Sequence, residues 1–227
     1  MPDGTGPTTP AAAAPPSPAP SSPITPSPST PAPNATEMTK DGGVKLIAHN
    51  QYQATRLLRS DLPSDPLVLF RRWLADALNP PVGSGLVPVR EPEAMTLSTA
   101  TKAGIPSSRV VLLKEVDTHG FVFFTNYNSR KGAELAANPY ASLGFHWRET
   151  SRQIRVVGRA ERLTPQESAA YFATRPRGSQ IGAWASTQSA AIAEDYLPHA
   201  VAEAEKRFEG HEVPCPPHWG GWRVVPL

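Results

Sequence analysis

The chain has a single cysteine, Cys215, among its 227 residues. One cysteine cannot form an intrachain disulfide, and this usage is typical of a reducing compartment. Cys215 stands between prolines in the run VPCPP, where we expect a passive loop thiol rather than a nucleophile. The spacings HxxxH, CxxC, GxSxG and GxGxxG do not occur. The sequence therefore gives little support to a metal site, a serine hydrolase or a dinucleotide-binding Rossmann fold.

Charge of one sign and long apolar runs are also scarce. The formal net charge is only +2, and no cluster of Lys or Arg stands out, although a nucleic-acid-binding surface needs a basic patch. No stretch approaches the roughly 20 apolar residues of a membrane span. No Lys or Arg precedes Lys40, unlike in secretory and transit signals. We therefore expect a cytoplasmic protein with no nucleic-acid or membrane partner.

Proline, in contrast, is abundant, with 27 residues, and about a dozen of them precede Asn34 in a tract of Pro, Ala, Ser and Thr. Such a tract cannot bury enough apolar surface to offset the entropy lost on ordering. We predict that residues 1–38 are disordered and that an ordered domain spans residues 44–227.

Within that domain, strand patterns outnumber helix patterns. Asp65 and Pro66 predict a helix start, and helices are also expected over residues 129–137, 164–175, 179–185 and 198–208. Strands are expected over residues 94–101, 107–116, 121–127, 141–147 and 153–162, and residues 222–225 look like the start of an unfinished strand. Residues 80–93 read as a surface loop. This order predicts a mainly antiparallel β-barrel with peripheral helices, not a doubly wound parallel sheet.

Residues 109–114, with the sequence RVVLLK, place two cations around an apolar core. We expect this strand to be buried on both faces, where charges need a partner that an anionic ligand could supply. Strand alternation puts Arg109 and Lys114 on opposite faces, so they would contact different ligands or different parts of one. The alternative is that both side chains emerge into water at the strand ends.

Residues 125–132, with the sequence TNYNSRKG, lead from a strand into a helix. A helix N-terminus offers free N–H groups to an anion, and Ser129, Arg130 and Lys131 add a hydroxyl and two cations. Gly132 would let a ligand approach closely. The alternative is an ordinary helix cap with two solvated cations.

Two further groups of side chains suit an anion or a flat ring. Tyr171 and Arg175 share a helix face, and Ser179 follows just after the break at Pro176, so the three could converge on a second phosphate. The polar residues of 180–189 could bond to a heteroaromatic ring, and Trp219 precedes two glycines that permit close approach. The alternatives are surface packing, a capped turn and a core tryptophan.

Taken in order, these segments resemble the pyridoxamine 5'-phosphate oxidase family. The likeness runs from about Tyr52 to Val225, with an extra loop near residues 80–93, and rests on residues 61–66, 109–114, 128–131, 152–153, 171–177, 179–184 and 219–221. The resemblance implies a split β-barrel homodimer that binds flavin mononucleotide (FMN) at the subunit interface.

The resemblance also implies the site residues. Gln153 would contact FMN from the facing strand, Gln188 and Ser189 would bind it from the second subunit, and Trp219 would close over the site. The full set expected to bind FMN is Arg109, Val110, Val111, Leu112, Leu113, Lys114, Phe124, Thr125, Ser129, Arg130, Lys131, Gln153, Gln188, Ser189 and Trp219. The residues expected to hold the substrate are Tyr52, Lys114, Tyr171, Arg175 and Ser179.

The implied reaction is FMN-dependent oxidation of pyridoxamine or pyridoxine 5'-phosphate by dioxygen. It yields pyridoxal 5'-phosphate and hydrogen peroxide, with ammonia from the amine. The family carries an Arg-Leu-His-Asp-Arg segment that lies beyond Leu227, so we assign no catalytic residue. We expect a C-terminally truncated sequence in which residues 198–227 begin an incomplete dimerisation region. The alternatives are a non-catalytic FMN- or B6-phosphate-binding relative and a flavin reductase with another substrate, against which Tyr171, Arg175 and Ser179 argue.

Overall fold

The computed structural model describes residues 36–38, 44–46 and 56–227. Strand β1 (Thr36–Met38) pairs antiparallel with β2 (Val44–Leu46), and both belong to a unit that ends at Gln51, whereas the described residues from Arg56 onwards belong to a second unit. The predicted disorder of residues 1–38 stays a prediction, although residues 36–38 of that range form the paired strand β1. The predicted domain start at Val44 precedes the division between the units, and Tyr52 lies outside the described residues.

The second unit is built on one antiparallel sheet of seven strands in the order β4-β3-β7-β8-β9-β6-β5. The strands are β3 (Ala94–Ala100), β4 (Pro106–Leu112), β5 (Glu115–Val116), β6 (Phe121–Asn126), β7 (Tyr140–Trp147), β8 (Arg152–Arg162) and β9 (Trp219–Pro226). Strand β9 begins three residues before the predicted position. It pairs with β6 on one side and with β8 on the other.

The two edges of this sheet are formed by one stretch of chain. Strand β4 lies at one edge and β5 at the other, and only Leu113 and Lys114 separate them. The Leu113 N–H donates to the carbonyl of Glu93, 2.8 Å away, whereas the Lys114 N–H donates to the carbonyl of Val122 at 2.9 Å. The sheet therefore curls until its edges meet at this crossing, which confirms the predicted barrel-like antiparallel fold.

Five α-helices surround the sheet: α1 (Pro66–Leu78), α2 (Arg130–Ala137), α3 (Pro165–Ala173), α4 (Arg177–Ala185) and α5 (Tyr196–Arg207). Their starts follow the sequence signals. Asp65 accepts a hydrogen bond from the Leu67 N–H at 2.8 Å, and Thr164 and Glu167 form a reciprocal capping box at α3. None of the helices in the described part of the chain is long and apolar enough to cross a membrane.

Two apolar cores hold the unit together. The larger lies inside the curled sheet, where Phe70 of α1 packs edge-on against Phe121 with ring centroids 4.8 Å apart. The smaller joins Phe172 of α3, Ile181 of α4 and Trp219 of β9. Each fully buried side chain of this size contributes about 1.5–3 kcal/mol. The second core fixes α3 and α4 against the sheet and thereby positions the site described next.

Candidate functional site

A cavity of about 500 Å³ lies where β4, β6, the start of α2 and the junction of α3 and α4 meet. This volume is within the usual range for a small-molecule site. Its walls combine cations, hydroxyls, amides and aromatic rings. The lining residues are Arg109, Val110, Val111, Leu112, Lys114, Phe124, Thr125, Asn126, Lys131, Tyr171, Arg175, Ser179, Gly182, Ala183, Ser186, Gln188 and Trp219.

Strand β4 differs from its prediction in its burial. It is not buried on both faces, because it is an edge strand: Val110 is 66% exposed and Leu112 41% exposed, whereas Leu113 is in the core. Arg109 and Lys114, expected on opposite faces, both line the cavity, as do the neighbouring residues Val110 and Val111. Strand β4 ends at Leu112, and the chain then crosses to the other edge of the sheet.

Beneath the cavity, Arg109 is held by a buried carboxylate through two hydroxyl groups. Its guanidinium donates to Thr99 Oγ1 at 2.6 Å and also to Ser107 Oγ. Both hydroxyls donate in turn to the Glu134 carboxylate, Ser107 at 2.6 Å. Arg130 Nε also donates to Glu134, at 2.9 Å. One carboxylate of α2 therefore holds two of the predicted cofactor cations in place.

The same contacts control the ionisation of Glu134. Burial alone would raise its pKa, but hydrogen bonds from Ser107 and Thr99, together with Arg130, outweigh that effect and lower the pKa to about 2. A carboxyl group whose pKa is depressed on folding stabilises the protein above its unfolded pKa, near 4.5. That stabilisation is lost as the pH falls towards 2.

We expect the substitution Glu134→Gln to lower the free energy of unfolding at pH 7 by about 1–3 kcal/mol, because two buried hydroxyls and two guanidinium groups lose their charged acceptor. The difference from the unsubstituted protein should shrink as the pH falls from about 4.5 towards 2. Urea unfolding at several pH values measures this. Glu203→Gln, on the exposed side of α5, is the control. A difference that is constant across this pH range would contradict the prediction.

The start of α2 presents a buried amine to the cavity. Ser129 caps the helix by accepting from the Gly132 N–H at 3.3 Å, and it is fully buried. Lys131 Nζ donates to Gln188 Oε1 at 2.7 Å and lies 3.4 Å from Ser129 Oγ. Burial, followed by the charge of Arg109, lowers the pKa of Lys131. Among the described residues no carboxylate pairs with this ammonium group, so the site favours an anion.

Gly132 has a different role from the predicted one. A Cβ atom at this position would lie 2.3 Å from the carbonyl oxygen of Tyr127. The glycine therefore lets the first turn of α2 pack against the backbone that leads into it, and the expectation of close ligand approach was wrong. Gly220 is similar, because a Cβ there would lie 2.1 Å from the Tyr127 hydroxyl.

A second group of polar side chains lies in the same cavity. Lys114, Tyr171, Arg175 and Ser179, predicted from separate segments, all line it. The Arg175 guanidinium lies over the Trp219 ring, 4.7 Å from its centroid, and 5.5 Å from that of Phe172. Its Nη1 is buried without a hydrogen-bond partner, and burial lowers its pKa. An unpaired buried donor of this kind is costly unless a ligand satisfies it.

The structure does not bring every predicted residue to this cavity. Leu113 is in the core, Ser129 lies beneath the lining, and Arg130 extends to Glu134. Ser189 does not line it, and Gln153 lines a separate depression with Val110 and His146. Gln188 was expected from a second subunit, yet it reaches the cavity of its own chain because α4 ends only three residues earlier.

Glu134 supports the lining from below and was not predicted. The remaining lining residues, Asn126, Gly182, Ala183 and Ser186, lie within the predicted segments 125–132 and 180–189 but were not named individually as ligand-binding residues. Glu134 could have been found, since it stands four residues after Arg130 on one helix, a spacing that favours an ion pair. Thr99 and Ser107 could not, because their contact depends on the register of β3 against β4.

Comparisons with known proteins identify one family. A sequence profile for pyridoxamine 5'-phosphate oxidase matches residues 87–207. The pyridoxine/pyridoxamine 5'-phosphate oxidase of Thermosynechococcus vestitus is 51% identical over 77% of this chain and 80% of its own length.

Among solved structures, PhzG from Burkholderia lata, in complex with tetrahydrophenazine-1-carboxylic acid, has a TM-score of 0.67 and 34% identity. The match covers 77% of this chain and 84% of that one. A pyridoxamine 5'-phosphate oxidase-related, FMN-binding protein from Nostoc punctiforme shares the fold, with a TM-score of 0.54 and 14% identity over 73% and 84% of the two chains.

Proposed function

This chain belongs to the pyridoxamine 5'-phosphate oxidase family of oxidoreductases, and from that premise we propose that it oxidises pyridoxamine or pyridoxine 5'-phosphate with FMN as cofactor and dioxygen as electron acceptor. The products are pyridoxal 5'-phosphate and hydrogen peroxide, with ammonia from the amine. One observation carries the proposal: three cations in a single cavity, Lys114, Lys131 and Arg175, have no carboxylate partner among the described residues. A phosphorylated cofactor and a phosphorylated substrate would supply one anion each.

The first anion position suits the phosphate of FMN. Lys131 is buried against Ser129 and the neutral Gln188 oxygen, at a helix N-terminus whose dipole favours negative charge. The exposed β4 residues Val110 and Leu112 would support the apolar part of the flavin. When bound, FMN supplies the two-electron oxidation of the substrate C4' carbon, which no side chain of the chain can perform.

The second anion position suits the substrate phosphate. Arg175 and Lys114 provide charge, and Tyr171 and Ser179 provide hydroxyl donors. Charge-assisted hydrogen bonds of this kind contribute roughly 1.5–3 kcal/mol each. Their main role is to bind the substrate, and the bound phosphate also fixes the orientation of the substrate ring.

We also propose that the protein acts as a homodimer. Strand β4 exposes Val110 and Leu112 at the rim of the cavity, and Gln153 lies in a neighbouring depression that shares Val110. A second copy placed on this rim would cover the apolar side chains and bring Gln153 towards the cofactor of its partner. Light scattering on the purified protein should give twice the mass of the chain, and a monomer that retains FMN and activity would refute this arrangement.

Reconstitution with FMN tests the function. The purified protein should be yellow, and it should consume oxygen and release hydrogen peroxide with pyridoxamine 5'-phosphate but far less with unphosphorylated pyridoxamine. Tight flavin binding without turnover would instead favour the non-catalytic relative. Equal turnover of both amines would favour a flavin enzyme with another substrate. A colourless protein that takes up no FMN would refute the proposal.

A further inference from the structure

Trp219, expected to close over the site, lies in the wall of the cavity. It is buried on β9, only 8% exposed, and its backbone is held by a hydrogen bond from its N–H to the carbonyl of Pro216 at 3.0 Å. Its ring is stacked with Phe124 at a centroid distance of 5.4 Å and an interplanar angle of 12°. Phe172 meets it edge-on at 5.0 Å. These contacts fix the ring as part of the cavity wall.

The fixed ring carries Arg175 on its face. The guanidinium carbon lies 4.7 Å from the Trp219 centroid, within the range of a cation–π interaction, for which tryptophan is the strongest aromatic partner. No hydrogen bond or ion pair from the Arg175 side chain was found within residues 56–227, and Nη1 is buried without an acceptor. The aromatic faces of Trp219 and Phe172 are therefore what orients this cation.

We propose that Trp219 is a positioning residue that sets the preference for phosphorylated ligands, by holding the half-buried Arg175 guanidinium on its ring and at the cavity wall. The inference rests on the proposed function and assigns this tryptophan to the substrate anion rather than to the flavin. A guanidinium that is partly buried on aromatic rings has less hydration to lose when a phosphate binds. A free arginine side chain would have to be desolvated and ordered at each binding event.

Tyr171 is a less direct partner of Trp219. Its ring is stacked on Phe124 at 3.9 Å, whereas it is 6.3 Å from Trp219. Replacing Trp219 should therefore act mainly through Arg175, and Phe124 should keep the Tyr171 hydroxyl in place. A double-mutant cycle distinguishes an effect of Trp219 on Arg175 from an effect on Tyr171. The effect on Arg175 disappears once Arg175 is removed.

The experiment compares Trp219→Phe and Trp219→Leu with the unsubstituted protein, each loaded with FMN. Binding of pyridoxal 5'-phosphate and of unphosphorylated pyridoxal is measured by absorbance titration, which does not require turnover. We expect pyridoxal 5'-phosphate to bind roughly 3-fold more weakly in the phenylalanine variant and 10- to 30-fold more weakly in the leucine variant, the range of a cation–π contact. Pyridoxal and FMN should bind within about twofold of the original affinity.

Matched controls make the test specific. Trp73 carries Arg152 over its ring at 4.9 Å but does not line the cavity, so Trp73→Phe should change neither ligand affinity. In an Arg175→Ala background, Trp219→Leu should have no further effect on pyridoxal 5'-phosphate. Thermal melts identify any variant that is unfolded, and the conservative phenylalanine variant keeps the test informative if the leucine variant does not fold.

The inference would be overturned by an equal loss of affinity for pyridoxal and pyridoxal 5'-phosphate, or by a full Trp219→Leu effect in the Arg175→Ala background. A loss confined to FMN would return Trp219 to the role of a flavin cover, and would overturn it too. A different result would show that the proposed function is wrong while the inference holds. The unsubstituted protein would then bind pyridoxal 5'-phosphate, and the affinity would fall from Trp219 to Phe to Leu, but pyridoxamine 5'-phosphate would not be oxidised.

Discussion

Replacing Arg175 with alanine should lower kcat/KM for pyridoxamine 5'-phosphate by roughly 30- to 1000-fold and leave FMN binding unchanged. Removing one partner of a buried charge pair costs about 2–4 kcal/mol, and each 1.4 kcal/mol is a factor of ten. The loss should fall on KM more than on kcat, because the phosphate is remote from the reacting carbon and its binding is largely retained from ground state to transition state.

The variant Arg175→Lys is the companion to this experiment. It keeps a positive charge but loses the planar fork and the stacking on Trp219, so an intermediate loss is expected. Arg177→Ala is the control outside the cavity, since Arg177 donates to the carbonyl groups of Phe208 and His211. A kcat/KM for Arg175→Ala within a factor of three of the original would refute the assignment of the second anion position.

The substitution Lys131→Ala should weaken FMN binding by roughly 10- to 150-fold, since one charge-assisted hydrogen bond contributes about 1.5–3 kcal/mol. Riboflavin has the same ring system without the phosphate, so its affinity should change by less than threefold. Quenching of flavin fluorescence measures both affinities. Lys102→Ala, on the exposed turn after β3, supplies the control.

The ratio of the FMN affinity to the riboflavin affinity shows whether Lys131 contacts the phosphate. If Lys131→Ala weakened riboflavin and FMN to the same extent, the amine would support the ring or the local fold rather than the phosphate. High salt should weaken FMN binding by the unsubstituted protein. This weakening should be smaller than for an exposed ion pair, because Lys131 is buried.

The sequence predicted best those features that depend on neighbours along the chain. The Asp65–Pro66 start of α1 and the Thr164–Glu167 capping box of α3 are local signals, since the cap and the N–H groups it satisfies lie within four residues. The order of strands and helices followed from similar signals. The two anion-binding segments were identified because a cation beside an apolar strand, or at a helix N-terminus, favours an anionic ligand whatever the rest of the fold.

The errors concern contacts that a sequence pattern does not show, most of them with distant parts of the chain. The burial of β4 is decided by its place at the sheet edge, which the run RVVLLK does not reveal. Gly132 was assigned to a ligand because the carbonyl of Tyr127, which excludes any larger residue, was not visible in the local pattern. The support that Thr99 and Ser107 give to Arg109 needs the antiparallel register that places these two residues opposite each other.

The crossing between β4 and β5 limits where the chain can accept an inserted or deleted residue. One residue added at Leu113 or Lys114 would turn every side chain of one flanking strand to the opposite face, because strand side chains alternate with a period of two. The Leu113 and Lys114 N–H groups each hold one edge of the sheet by a hydrogen bond. Neither edge could therefore accommodate a shift in register by one residue. We therefore expect insertions and deletions to be tolerated in the connection between α1 and β3 but to be excluded from these two positions.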